Sequence, residues 1–187
     1  MTINELMKVA HADAKAKGFW DEERKIGEAL MLIVSECGEA LEAHRNGRMG
    51  DLQQFDARYP ERNCELSEEA SLSLFRNAFE DYIKDSFSDE LADIVIRIAD
   101  LCGAKEIKLK SVGLSYPEDA HANIGMALLH VSIFIGRFWE YGGSQFLDNA
   151  IRVVFGIAHN SGIDLWRYIE LKLTYNRTRS YRHSKAY

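Results

Sequence analysis

The stretch from Gly27 to His44, G-E-A-L-M-L-I-V-S-E-C-G-E-A-L-E-A-H, holds no proline and is dense in Ala, Leu, Met and Glu, the composition of a helix. At about 100° per residue, Leu30, Met31, Leu32, Ile33, Val34, Cys37, Ala40, Leu41 and Ala43 cover nearly the whole circumference. Glu36 and Glu39 fall about 60° apart, with Glu28 close to Glu39 on the same side. A helix that is apolar all round is expected to be buried, and a buried carboxylate is costly unless it is paired or holds a metal. The helix therefore calls for positive charge opposite Glu36 and Glu39.

A second segment has the same character. Residues 88–101 predict a helix, capped by Ser88 or Asp85, in which Glu90, Asp93, Arg97 and Asp100 form one narrow stripe. Leu91, Ala92, Ile94, Val95, Ile96, Ile98 and Ala99 occupy the remainder. Alone, this stripe reads as a solvated face with Asp93 and Arg97 paired one turn apart. Two such helices, each with acids at i and i+3, can instead face each other across a bundle and bring four carboxylates to one point.

The surrounding chain fits an all-α fold. Its 187 residues suit one domain with a real core, and a 47% hydrophobic content argues against disorder. Only two prolines interrupt it, and few segments resemble strands. Residues 3–17 predict an amphipathic helix closed by Gly18. Asp21 is expected to cap the next helix, which ends at Asn46–Gly47. Residues 48–65 read as loop, and 65–84 as a helix capped by Ser67 or Asn63. Glu65 and Glu68 repeat the acid spacing, but acids in a first helical turn are favoured by the dipole alone. Further helices are expected over 119–141 and 145–158, broken by Gly142–Gly143, with a last one capped by Asp164. Glu118 and His121 form one E-x-x-H, whereas di-iron bundles need that unit twice.

Other classes are disfavoured. Cys37, Cys64 and Cys102 form no C-x-x-C, so they read as small buried groups in a reducing cytosol rather than as a disulfide or zinc framework. The N-terminal segment lacks the apolar run of a signal peptide, and the longest apolar run, about 127–138, is too short to span a membrane. A cytoplasmic protein is expected. Residues 172–187 hold Lys172, Arg177, Arg179, Arg182 and Lys185 and no acid. Removing those five charges from the net −6 leaves −11 on the rest, which would repel a long polyanion, so nucleic acid is not the expected partner. Acids that hold cations, with a basic tail that holds phosphate, suit a small phosphorylated substrate better. Oxygen-only ligation selects Mg²⁺ or Mn²⁺, and such ions serve phosphoryl chemistry. No P-loop or nucleophile-elbow motif is present. Phe19 and Trp20 read either as a clamp on the core or as a wall on which a base stacks.

On these residues the chain resembles a known family. S-E-C-G-E-A-L-E-A and D-E-L-A-D-I-V-I-R resemble the E-x-x-E and E-x-x-D helices of the MazG-like all-α nucleoside triphosphate pyrophosphohydrolases. The ending G-I-D-L-W-R-Y-I-E-L-K-L-T-Y-N-R-T-R-S-Y-R-H-S-K resembles that family's K-x-x-x-N-x-x-R-x-x-x-H-G-K close, with Ser184 in place of the usual Gly. The lead-in G-F-W-D-E-E-R-K-I-G-E is similar too.

The resemblance implies a single domain over 1–187, an all-α helical bundle of that family with an additional helix pair and insertions at about 48–85 and 104–161. It implies Mg²⁺-dependent cleavage of an NTP or dNTP to the monophosphate and pyrophosphate, with Glu36, Glu39, Glu90 and Asp93 as metal ligands. Lys172, Asn176 and Arg179 would contact the nucleotide, with Trp20 a candidate for the base, and the protein would be a homo-oligomer, a dimer foremost. The alternatives are a dUTP or phosphoribosyl-ATP hydrolase of the same superfamily, and a non-catalytic helical interaction protein whose acid pairs are solvated faces.

Overall fold

Phe87–Ala104 is the buried axis of the molecule. In the computed structural model, which describes residues 1–22, 24–60, 67–110 and 123–181, eight α-helices and no strand are found among the described residues. They are α1 Ile3–Ala16, α2 Ile26–Arg45, α3 Leu52–Arg58, α4 Glu68–Tyr82, α5 Phe87–Ala104, α6 Ile124–Tyr141, α7 Ser144–Asn160 and α8 Leu165–Thr178. The α5 helix packs against α1, α2, α7 and α8, and Leu91, Ile94, Val95, Ile98 and Ala99 on it are fully buried. The all-α bundle expected from the sequence is the architecture observed, with α6 and α7 as the additional pair.

It is α5, rather than α2, that is buried nearly all round. On α2, Met31 is 63% exposed and Glu28, Ser35, Gly38, Glu39 and Glu42 also face outward, while Ala29, Leu30, Ile33, Cys37 and Ala40 pack inward. The wheel overstated its burial because the apolar residues of α2 are split between packing on α5 and on α6, leaving a gap at Met31.

Several element ends also differ from expectation. Asp21 does not cap α2, which begins at Ile26 behind Lys25 with no side-chain cap bond. Residues 52–58 are helical rather than loop: Asp51 caps α3 by accepting from the Gln54 amide, and Phe55 is fully buried. The cap of α5 is Ser86, not Ser88 or Asp85, because Asp85 adopts a left-handed φ of 57° and the helix starts only after that turn. The α5 helix also runs past Cys102–Gly103. At Gly103 a Cβ would stand 2.6 Å from the Met7 carbonyl, so glycine permits α1 to cross this closely.

Two ties place the acid pairs face to face. The Phe87 amide donates to the Arg48 carbonyl at 2.8 Å, and the Asp51 amide to the Tyr82 carbonyl at 3.0 Å. The end of α2 is thereby held beside the start of α5, and Glu39 and Glu36 run antiparallel to Glu90, Asp93 and Arg97. The α8 helix is fastened at both sides: Tyr175 stacks on Phe79 with centroids 4.3 Å apart, and Arg177 pairs with Asp13 at 2.8 Å. Lys17 donates to the Arg177 and Arg179 carbonyls, and the Tyr181 hydroxyl to Asp21, so the segment after α8 lies over the end of α1.

No helix among the described residues is long and apolar enough to cross a membrane. Cys37 and Cys102 are buried free thiols, pushed up to about 11 and about 12 by burial. Cys64, Glu65, Glu118, His121, Arg182, Ser184 and Lys185, which the sequence reading discussed, lie outside the described residues. Glu68 is exposed in the first turn of α4, as the dipole reading anticipated.

Candidate functional site

Glu36 and Glu90 are each only 4% exposed, and their helices bring them together with the exposed Glu39. One carboxylate oxygen from each of Glu36, Glu39 and Glu90 lies within 4.8 Å of the others, close enough to share one cation. Asp85 and Asp89 make a second trio with Glu90 at the same spacing. Asp93 stands outside both trios. Its carboxylate is taken by Lys172, whose Nζ donates at 2.7 Å to Asp93 and at 2.7 Å to the fully buried Asp89.

Arg97 does not pair with Asp93, the partner one turn away on the same helix. It reaches across to α2 and forms a short ion pair with Glu36. The stripe of α5 is therefore an inward-facing polar seam, not a solvated face. Burial alone would depress Arg97, but the charges of Glu36 and Asp93 outweigh it and hold the guanidinium above its ordinary value. Lys172 behaves likewise: burial opposes its charge, and Asp93 and Asp89 more than restore it.

Within this cluster five carboxylates, Glu36, Glu39, Asp89, Glu90 and Asp93, meet the two ion-paired cations Arg97 and Lys172. The shortage shows in protonation. Glu90 is pushed up to about 9, by burial first and by the Asp93 charge second, with Lys172 opposing. Glu36 is raised by burial and by Asp93 against the pull of Arg97. Asp89 is raised to about 6 by burial, moderated by Lys172, and its Oδ1 has no hydrogen-bond partner among the described residues. Glu90 holds a proton at neutral pH where a cation would serve. The donor set is oxygen only, so it fits a hard divalent ion.

The cluster opens into a cavity of about 260 Å³. Glu36, Glu39, Glu90, Asp93 and Arg97 form one wall, Lys172, Leu173, Tyr175, Asn176 and Arg179 a second, and Ala10, Asp13, Lys17, Phe19 and Arg24 a third. Ala14, Lys84, Asp85, Leu32, Ile96 and Asp100 complete it. Of the residues expected from the sequence, Glu36, Glu39, Glu90, Asp93, Lys172, Asn176 and Arg179 all border this one space. Asn176 Oδ1 is buried and accepts no hydrogen bond from any described residue. Trp20 is not among the lining residues; its indole donates to Asp100 at 2.9 Å, and its neighbour Phe19 lines the cavity instead. His44 meets the Phe87 ring at a tilt, centroids 5.0 Å apart, and is not among the lining residues. The α6–α7 pair contributes no lining residue among those described.

Sequence reasoning missed Asp89, which lies off the Glu90–Asp93 stripe in the first turn of α5, where the helix dipole favours an acid in any case. It also missed Lys17 and Arg24. Neither belongs to a spaced motif, and each reaches the cavity only because the α1–α2 connection folds over α5 and α8. Family sequence models, curated proteins and solved structures contain no match to this chain. The functional reading accordingly rests on the geometry above.

Proposed function

We propose that this protein is a Mg²⁺-dependent nucleoside triphosphate pyrophosphohydrolase of the MazG-like kind, which cleaves an NTP or dNTP with water to the monophosphate and pyrophosphate. The observation that carries the reading is the convergence of Glu36, Glu39 and Glu90 from two helices onto one point, bordering a cavity whose other walls hold Lys17, Arg24 and Arg179. An acidic pole for cations and a basic wall for anions in one space suit a cation-bound phosphate chain.

A bound Mg²⁺, or Mn²⁺, supplies Lewis acidity toward phosphate oxygens and the attacking water. Glu36, Glu39 and Glu90 are the residues that would hold it, with Asp93 ion-paired to Lys172 beside them. Arg97 fixes the Glu36 carboxylate in place. Arg179 on one wall and, on another, the Lys17 ammonium held by the Arg177 and Arg179 carbonyls neutralise phosphate oxygens, and the Asn176 Oδ1 offers an acceptor to a sugar hydroxyl. No Ser, Thr, Cys or His lines the cavity among the described residues, and its carboxylates are the groups that would hold the cation or pair with Lys172, so the nucleophile in this reading is water. The free thiols Cys37 and Cys102 suit a reducing cytosol. The exposed apolar stripe Met126, Leu129 and Ile133 on α6 is the face we assign to a homodimer.

The test is hydrolysis of a panel of NTPs, dNTPs, dUTP and phosphoribosyl-ATP with and without Mg²⁺, with products separated by ion exchange. Monophosphate and pyrophosphate should form only with the metal, and Glu39→Ala should abolish turnover while shifting stability by no more than about 0.5 kcal/mol, since Glu39 is exposed. Absence of turnover on every member, together with no calorimetric Mg²⁺ signal, would leave a non-catalytic helical interaction protein.

A further inference from the structure

The polar seam of α5 continues past the cation cluster to Asp100, which the proposed chemistry does not use. Asp100 lines the same cavity as Glu90 and Asp93. Seven residues beyond Asp93, it lies on the same face about 10 Å farther along the helix axis. A nucleotide whose phosphates sit on the carboxylates is long enough to bring its base to that end of the cavity.

The surroundings of Asp100 hold its carboxylate in one orientation. Trp20 Nε1 donates to Oδ1 at 2.9 Å and to Oδ2 at 3.1 Å, and His11 Nδ1 lies 3.0 Å from Oδ1. His11 and Trp20 themselves meet edge to face at 5.4 Å. The Asp100 side chain is 15% exposed. An ionised carboxylate only accepts and has about four lone-pair sites. Oδ1 receives two contacts and Oδ2 one, so Oδ2 retains room for a further donor. The same end of the cavity presents the ring of Phe19, with the Arg24 guanidinium 5.5 Å from the centroids of Phe19 and of Trp20. A flat ring, a cation and a fixed acceptor are the parts needed to stack a base and read its edge.

We infer that Asp100, positioned by Trp20 and His11, reads the nucleobase and selects those carrying an exocyclic amino group (adenine, cytosine or guanine) over uracil and thymine. The amino group donates into a fixed carboxylate. Uracil and thymine instead flank their single ring N–H with two carbonyl oxygens, and one of these would face the carboxylate. This inference rests on the hydrolase reading above.

The experiment compares kcat/KM for ATP, CTP, GTP, UTP and TTP with Mg²⁺ in the wild type, Asp100→Asn and Trp20→Phe. The wild type should favour the amino-bearing group by at least ~10-fold, and Asp100→Asn, which swaps an acceptor for a donor at constant volume, should cut that ratio by ~10–100-fold. Trp20→Phe, which loosens the carboxylate without altering its charge, should cut the same ratio by a smaller factor. A uniform loss across all bases in both variants would assign Asp100 to holding α1 against α5 and overturn the inference. Wild-type turnover of UTP or TTP equal to the others would overturn it too, even if neither variant folds. No turnover of any nucleotide would remove the hydrolase reading itself, whereas turnover without base preference removes only this one.

Discussion

Replacing Glu90 by Gln should make the metal-free protein more stable, and increasingly so as pH rises. In the folded chain Glu90 titrates at about 9 instead of its ordinary 4.5, because burial and the Asp93 charge disfavour its ionised form. Below pH 4.5 the group is protonated folded or unfolded and exerts no bias. Above it the unfolded chain ionises freely while the folded chain keeps its proton, so stability falls with pH until the folded group also ionises near 9. Between pH 4.5 and 7 that loss is about 3 kcal/mol at 1.36 kcal/mol per pH unit, a large part of a typical domain's stability. Gln keeps the shape and cannot ionise, so the gap between Glu90→Gln and wild type isolates this one group from Glu36 and Asp89, which also shift upward. Urea denaturation in EDTA should show a gap below about 1 kcal/mol at pH 5 that widens to about 3 kcal/mol at pH 7. Adding Mg²⁺ at 100 times its Kd should return about 2.7 kcal/mol to the wild type and less to the variant. A gap that is the same at both pH values, or a variant less stable than wild type at pH 7 without metal, would refute the reasoning.

Two other substitutions address separate parts of the structure. Arg97→Met leaves Glu36 buried without its partner and should cost about 3 kcal/mol in a urea melt; a cost under about 0.5 kcal/mol would mean the pair is dispensable. Leu129→Glu places a charge on the 50% exposed centre of the α6 stripe, and light scattering should then report half the wild-type mass with circular dichroism unchanged. A wild type already monomeric would remove the dimer.

How much of this was legible beforehand depends on whether a feature is set within one helix or between several. The all-α class and the acid spacing were readable, since both follow from local composition and the angular step of a helix. Cap positions were half readable. Ser67 and Asp164 cap as read, but the start of α5 was decided by the left-handed turn at Asp85, which puts the cap at Ser86 rather than at the expected Ser88 or Asp85. The short α3 was missed because seven residues carry too little periodicity, and what holds it is the single buried Phe55. The partner of Arg97 was beyond reach, because a wheel shows only neighbours on its own helix and Asp93 looked sufficient there.

The same limit hid why Glu90 is unfavourable where it is. Its cost arises first from burial and then from Asp93 on α5, with Asp89 on α5 and Glu36 on α2 adding to it, against a Lys172 on α8 that is already committed to Asp89 and Asp93. Each helix is locally consistent on its own, and the conflict appears only once the three are packed. A fold selected for stability alone would favour a neutral or apolar residue at this position. Conflicts that survive packing are expected where a site does work. Here the conflict is an excess of negative charge gathered around one point, which a bound divalent cation would remove. The stability lost at Glu90 without metal and the affinity that the proposed cation would gain there are thus two sides of one electrostatic imbalance, and the comparison of Glu90→Gln with and without Mg²⁺ measures both.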